Sequence, residues 1–273
     1  MSNGEAFLRG SITLVFRFAV VQSDSRFRAP VGESYKSEYH PQLPQARVNL
    51  EANSNHLNMT FSATIEKHVG RLLFSQRGHD AKLITRSISS LTSLPPTLII
   101  TSPLGNSPCA LLHEHSALGA NRFPLLTWQL PDDGSVSASD VRAWLVVVED
   151  PDAPLPSPIV HGVYYNIPGE KRELGEKDFA HHEGTGKAGT NNLLKGGFRY
   201  GGSHGGKVWS GPKPFLGHGV HRYFFQIIGL REDLQAPSME EQKLDLKKIA
   251  AEKLLDGKVV IWGEWIGTFE RSI

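Results

Sequence analysis

A single cysteine, Cys109, stands in 273 residues, so an intramolecular disulfide is excluded and a reducing compartment fits. Its plain role is that of a small apolar residue, not a catalytic thiol. No apolar run reaches the roughly 20 residues of a membrane span. Phe7–Val21 is the nearest, and Arg9 and Arg17 interrupt it, which makes a poor signal-peptide core. Neither sign of charge dominates: the net charge of +1 supplies no field for nucleic acid or an anionic membrane surface, so any anion binding is local. No G-x-S-x-G elbow is present for a Ser/His/Asp hydrolase. The glycine-dense stretch Asn191–Ser210 lacks P-loop spacing, no internal repeat occurs, and no cofactor is expected.

What is present favours strands and loops. The chain is 39% hydrophobic, with 27 glycines and 17 prolines, and its mean hydropathy is -0.27. Residues 22–58 are polar, hold Pro30, Pro41 and Pro44, and show no period, so 1–58 is expected to be a poorly ordered extension before a domain at 59–273. A cytoplasmic location is expected. The second reading is a mitochondrial presequence, from Arg9, Arg17, Arg26 and Arg28 against Glu5 and Asp24. Asn58-Met59-Thr60 is a glycosylation sequon only in a secreted chain.

Ile65, Val69, Leu72 and Leu73 recur at helical spacing, and Gly78 provides a stop, predicting a helix over 61–77. Strands are expected at Thr97–Thr101, Phe123–Trp128, Arg142–Val148, Gly162–Ile167 and Val259–Phe269, with a turn at Asp132-Asp133-Gly134. Ser238–Glu241 is a capping box opening a helix whose apolar side is Leu244, Leu246, Ile249, Ala250 and Leu254, ended by Asp256-Gly257.

Two stretches carry chemistry. In Trp144–Tyr165, an apolar strand runs into Asp150-Pro151-Asp152-Ala153-Pro154, where proline forbids both helix and ladder, and His161 enters the next strand. Alternation puts Trp144, Val146, Val148 and Asp150 on one face, so a carboxylate tops an apolar column. The plainer reading is an Asx-type turn between two strands. In Gly211–Leu230, a Gly/Pro loop runs into a strand on which His221, Tyr223, Phe225 and Ile227 share a face.

The pair DPDAP…His161 and GPKP…GHGVHRYFF resembles the phosphatidylethanolamine-binding protein (PEBP) family, nearest its bacterial YbhB/YbcL-type and fungal branches, where GHG-x-HRYFF and a terminal GEWIG recur. The resemblance spans about residues 95–270 and implies a mostly β fold, an antiparallel sheet core with a few peripheral helices. It implies that Asp150, Asp152, Pro154, His161, Gly211, Pro212, His221 and Tyr223 line a small anion pocket, with Ala153–Pro154 cis. Residues around Gly201–Trp209 look like an insertion at its mouth. Mammalian relatives extend into a C-terminal helix over the entrance, whereas this chain stops three residues after Glu270, so a more open pocket is expected.

The chemistry of these residues agrees with an anion site. A neighbouring carboxylate favours imidazolium at His161 and His221, and glycine-loop N–H groups satisfy the remaining ligand oxygens. Arg222 faces the other way and is expected to pair with Asp152. The plainer alternative is a pair of satisfied core histidines. A metal set of Asp150, His161, His218 and His221 has unusual spacing, so no metal is expected. His181 and His182 read as solvated loop residues. The first functional expectation is capture of a phosphorylated or carboxylated small molecule, or of a partner protein. The alternative is an enzyme in which Asp150, His161 and His221 act as acid and base, as implied by fungal relatives that couple maleic-anhydride-type monomers. A protease or kinase inhibitor is the remaining alternative.

Overall fold

The apolar run around Trp144 lies at the centre of a sheet and is buried on both sides. A computed structural model describes residues 62–181, 192–235, 244–251 and 253–272. The 1–58 extension, the Asn58 sequon, His182 and the Ser238–Glu241 capping box lie outside the described residues.

Helix α1 covers 62–72, and the short α2 (Ile84–Ser87) and α3 (Ser89–Thr92) follow. Then come β1 (Ile99–Thr101), β2 (Cys109–Ala110), β3 (Leu126–Gln129), β4 (Ala143–Asp150) and β5 (Ile159–Pro168). After them lie β6 (Glu173–Leu174), β7 (Arg199–Tyr200), β8 (His221–Leu230), α4 (Leu246–Ala251) and β9 (Val259–Phe269). The main sheet has the order β2-β9-β8-β4-β5-β7, and β1-β3-β6 form a second, small one. Pairing is antiparallel except between β2 and β9. This is the strand-dominated architecture with few helices that the motifs imply.

All eight residues of β4 are buried, because both faces of the sheet are covered. On one face Trp144, Val146 and Val148 pack with Tyr164, Tyr223, Phe225, Trp265 and residues of the small sheet. On the other, Leu145 and Val147 pack with Val163, Ile228 and Trp262 beneath Ile84, Leu91 and Ile249 of the helices. Large side chains face glycines across β8 and β9: Tyr223 lies opposite Gly267, and Ile227 opposite Gly263. A Cβ at Gly263 would stand 2.3 Å from the Leu98 carbonyl oxygen, a backbone atom that cannot step aside. Gly263→Ala is therefore expected to cost about 1–3 kcal/mol, read as a lower urea midpoint at unchanged m-value.

The helix predicted over 61–77 ends at residue 72 and continues as turns. At its end the bonds tighten to i−3, Phe74 N–H to the Arg71 oxygen at 3.3 Å and, in the turn beyond, Gln76 N–H to the Leu73 oxygen at 2.8 Å. The three short helical segments between Asp80 and Thr92 carry no sustained period and were not expected from it. The Ala153–Pro154 bond, expected cis, is trans; the cis bond among the described residues is Ser107–Pro108. The chain reverses at Pro154 through a three-residue turn, Leu155 N–H to the Ala153 oxygen at 2.7 Å, which needs only the φ that proline already holds.

Candidate functional site

Asp150, at the end of β4, stands on the Trp144–Val148 face, as alternation requires. It anchors its own turn: its Oδ1 accepts the Asp152 N–H at 2.8 Å. Its other oxygen, Oδ2, lies 2.8 Å from His221 Nδ1 and 4.0 Å from His161 Nε2. Asp150, His161 and His221 are 2%, 6% and 2% exposed, so among the described residues this cluster is buried and not the open pocket that was expected. Instead α1 packs so closely on the 216–219 loop that a Cβ at Gly70 would meet the Leu216 carbonyl at 2.1 Å.

His161 reaches this cluster through a β-bulge. Val148 pairs with Gly162 and Glu149 with Val160, leaving His161 as the extra residue of β5. Without the bulge it would share a face with Val163 and Tyr165. With it, the ring lies edge-on to Tyr223 at 5.0 Å and near Trp209 at 6.2 Å. His161 Nδ1 bonds the Ser210 carbonyl and is therefore the protonated nitrogen. Nε2 then holds a bare lone pair, buried and without a partner.

The electrostatics correct one expectation. Burial lowers the His161 pKa and outweighs the opposing influence of Asp150, so the free ring is neutral at neutral pH, not an imidazolium. Tyr223 is held well above the ordinary phenol value, by burial and then by the charges of Asp150 and Asp152.

His221 has both nitrogens engaged: Nδ1 to Asp150, and Nε2 to His218 Nδ1 at 2.7 Å. It therefore has no ring nitrogen to offer a ligand in this arrangement. Of the four side chains weighed as a metal set, His218, His221 and Asp150 form a hydrogen-bonded chain and His161 stands 4.0 Å from Asp150. No group of three or more such side chains among the described residues is placed to hold a metal ion.

Arg222 points to the opposite face and binds Asp152, as expected. Its Nε and Nη2 lie 2.8 Å from the two carboxylate oxygens, and a second fork grips Asp80. Burial pushes the Asp152 pKa up, but the bonds and charge of Arg222, aided by Arg77, hold it below the ordinary value. Asp152 thus braces the turn and does not point at the histidines. Pro154 shapes the same turn. Gly211 and Pro212 are tied to the 113–121 loop: the Gly211 N–H donates to Asn121 Oδ1 at 2.8 Å, and the Pro212 carbonyl accepts the Ala117 N–H at 2.9 Å. The Gly211 amide expected to meet a ligand is therefore already committed, although Ser210 beside it grips His161. His181 is exposed, at a bridge to Leu194 and against Tyr200.

Asn121 escaped the sequence reading of the site, and His218 entered it only as a weighed metal ligand, since each sits in a loop with no period to mark it. A second buried polar group, Glu149 with Gln226 and Thr85, lies on the opposite face under α2. A cavity of about 290 Å³ borders Thr101, Thr127, Gln129, Arg172 and Glu173, none of which belongs to the cluster.

The family model described as phosphatidylethanolamine-binding protein matches residues 105–270. Phomoidride biosynthesis cluster protein B from a fungal species is 35% identical over 209 residues, 76% of this chain and 95% of that protein. The protein of the same name from Talaromyces stipitatus is 34% identical over 213 residues, 76% of this chain and 82% of that protein. The crystal structure of Escherichia coli YbcL, titled a new member of the mammalian PEBP family, aligns with 64% of this chain and 99% of its own at 21% identity and a TM-score of 0.49.

Proposed function

Because this chain belongs to the phosphatidylethanolamine-binding protein family, we propose that it binds a small carboxylated or phosphorylated ligand at Asp150 and His161, taking up a proton with it. One observation carries the reading: the unpartnered Nε2 lone pair of His161 faces Asp150 Oδ2 across 4.0 Å. Two buried acceptors facing each other leave unmade a hydrogen bond worth roughly 1–3 kcal/mol. An acid supplies what is missing. Its proton passes to Nε2, the new imidazolium is held by Asp150, and the ligand's anion stays beside the positive ring. The neutral His161 of the ligand-free protein supports this order of events.

The test is an NMR titration with acetate and with phosphorylethanolamine, following the imidazole nitrogens. His161 is expected to move from the neutral to the charged pattern. An unperturbed His161 at millimolar concentrations of both ligands would overturn the reading.

Similarity to a biosynthesis cluster protein across 95% of that protein's length favours a second reading. Here the same nitrogen takes a proton from an acidic carbon beside a carbonyl, and the C–H electron pair moves onto the carbonyl oxygen as an enolate. Coupling of maleic-anhydride-type monomers would begin in this way. Product formation is expected from wild type and not from His161→Gln. Equal yields from both, matching a protein-free control, would remove the catalytic reading and leave binding.

A further inference from the structure

We infer that His218 is a positioning residue for this pocket: it dictates which nitrogens of His221 carry protons and thereby holds Asp150 beside His161. The functional consequence rests on the reading of the pocket above, while the positioning itself does not.

The inference follows from counting protons. His218 is fully buried, and its Nε2 lies 2.9 Å from the Leu73 carbonyl oxygen, which only accepts, so Nε2 carries a proton. Its Nδ1 is 2.7 Å from His221 Nε2, and His221 Nδ1 is 2.8 Å from Asp150 Oδ2. These three hydrogen bonds need three protons on two rings and one carboxylate, so the group is neutral overall whichever atom holds the third. The positive charge belongs on His221, whose Nδ1 lies 2.8 Å from the carboxylate, and not on His218, one ring further away, where burial also disfavours it. His221 then donates from both nitrogens. It neutralises Asp150 and touches no ligand, leaving His161 as the histidine with a free nitrogen.

The backbone around His218 is built to hold this arrangement. Gly217 and Gly219 flank it at φ values of 77° and 86°, a left-handed conformation that glycine adopts without strain. A Cβ at Gly217 would stand 2.8 Å from the Lys67 carbonyl oxygen, and one at Gly219 would stand 3.1 Å from the Phe74 ring. The loop therefore lies directly against α1 and the turn after it, and Arg77 donates to the His218 carbonyl at 3.4 Å. The last partner of the chain is Leu73 on that turn, so a segment remote in sequence fixes the protonation of a residue on β8.

The experiment is long-range ¹H–¹⁵N correlation of the imidazoles in ligand-free wild type, His218→Gln and His218→Leu. In wild type, His221 is expected to show two protonated nitrogens, and His218 a protonated Nε2 with a bare Nδ1. Glutamine can accept from His221 and donate to Leu73, so His218→Gln should keep the His221 pattern. Leucine accepts nothing, so His218→Leu should convert His221 to a singly protonated ring and weaken acetate binding about tenfold, against less than about threefold for glutamine. A bare Nε2 on wild-type His218 overturns the inference, and that reading needs no variant to fold. So does an unchanged His221 pattern in a folded His218→Leu protein. If the patterns hold and acetate fails to bind wild type, the ligand reading falls and the positioning role stands.

Discussion

Arg222→Leu is expected to lower the free energy of unfolding by about 3–5 kcal/mol near pH 7, the usual consequence of leaving a buried charge without its partner. Asp152 is only 1% exposed, and Arg222 supplies two side-chain bonds to it. The variant keeps the backbone N–H bond at 2.9 Å and the more distant Arg77 at 3.6 Å, which do not replace a bidentate guanidinium.

The pH dependence of this variant has a defined sign. In wild type the Asp152 pKa lies below its ordinary value, so its stabilisation is complete above the unfolded value of about 3.9 and is lost as pH falls through the lower folded value. Without Arg222, burial dominates and the folded pKa rises above the unfolded one. The folded variant then prefers the protonated carboxyl, and its deficit should shrink as pH falls from about 7 towards 5. Urea unfolding of both proteins across that range measures it. A deficit under about 1 kcal/mol that ignores pH would show the network to be a weak surface pair.

Much of this arrangement was legible in residue order. Period-two alternation puts Asp150 under Val148, puts His221 with Tyr223, and sends Arg222 to the far face, all as found. β9 matches its expected bounds of Val259–Phe269, and β4 runs from Ala143 to Asp150 against an expected Arg142–Val148. The failures have a common physical cause. A bulge adds a residue without leaving a compositional mark, so nothing in the string IVHGVYY announces the face His161 takes. His218 sits between two glycines whose backbone freedom erases any periodic signal, and its partner is a main-chain carbonyl, which no side-chain pattern reveals. The neutral state of His161 was misjudged because a neighbouring carboxylate is visible in sequence, whereas the depth of burial that outweighs it is not.

Acetate affinity is expected to fall about tenfold per pH unit above roughly pH 6.5, the ordinary imidazole value, and His161→Gln should flatten that slope. The sign follows from the direction of the His161 shift. The free ring has lost its proton at neutral pH and the bound ring has regained it, so each unit of rising pH makes the required proton ten times scarcer. Acetate keeps one charge through this range and contributes no titration of its own. The groups facing the ring are Asp150 from β4, His221 and Tyr223 from β8, and His204 from the preceding loop. Asp150 acts to raise the ring's pKa, while His221 and His204 act to lower it. Calorimetry in two buffers of different ionisation enthalpy should return about one proton taken up per acetate. A slope of zero in wild type would sink proton-coupled binding.

The extra residue in β5 makes the number of residues between Asp150 and Tyr164 odd or even in a way the chemistry depends on. Shortening the 151–158 turn by one residue changes a loop and leaves every later side chain on its own side of the sheet. Removing Val160 instead would restore strict pairing, set His161 opposite Glu149, and turn the imidazole towards the Glu149–Gln226–Thr85 group on the far face. A single-codon deletion there would leave a protein with the same strands and nearly the same core, and an Asp150 that keeps His221 but has lost His161 from across the gap.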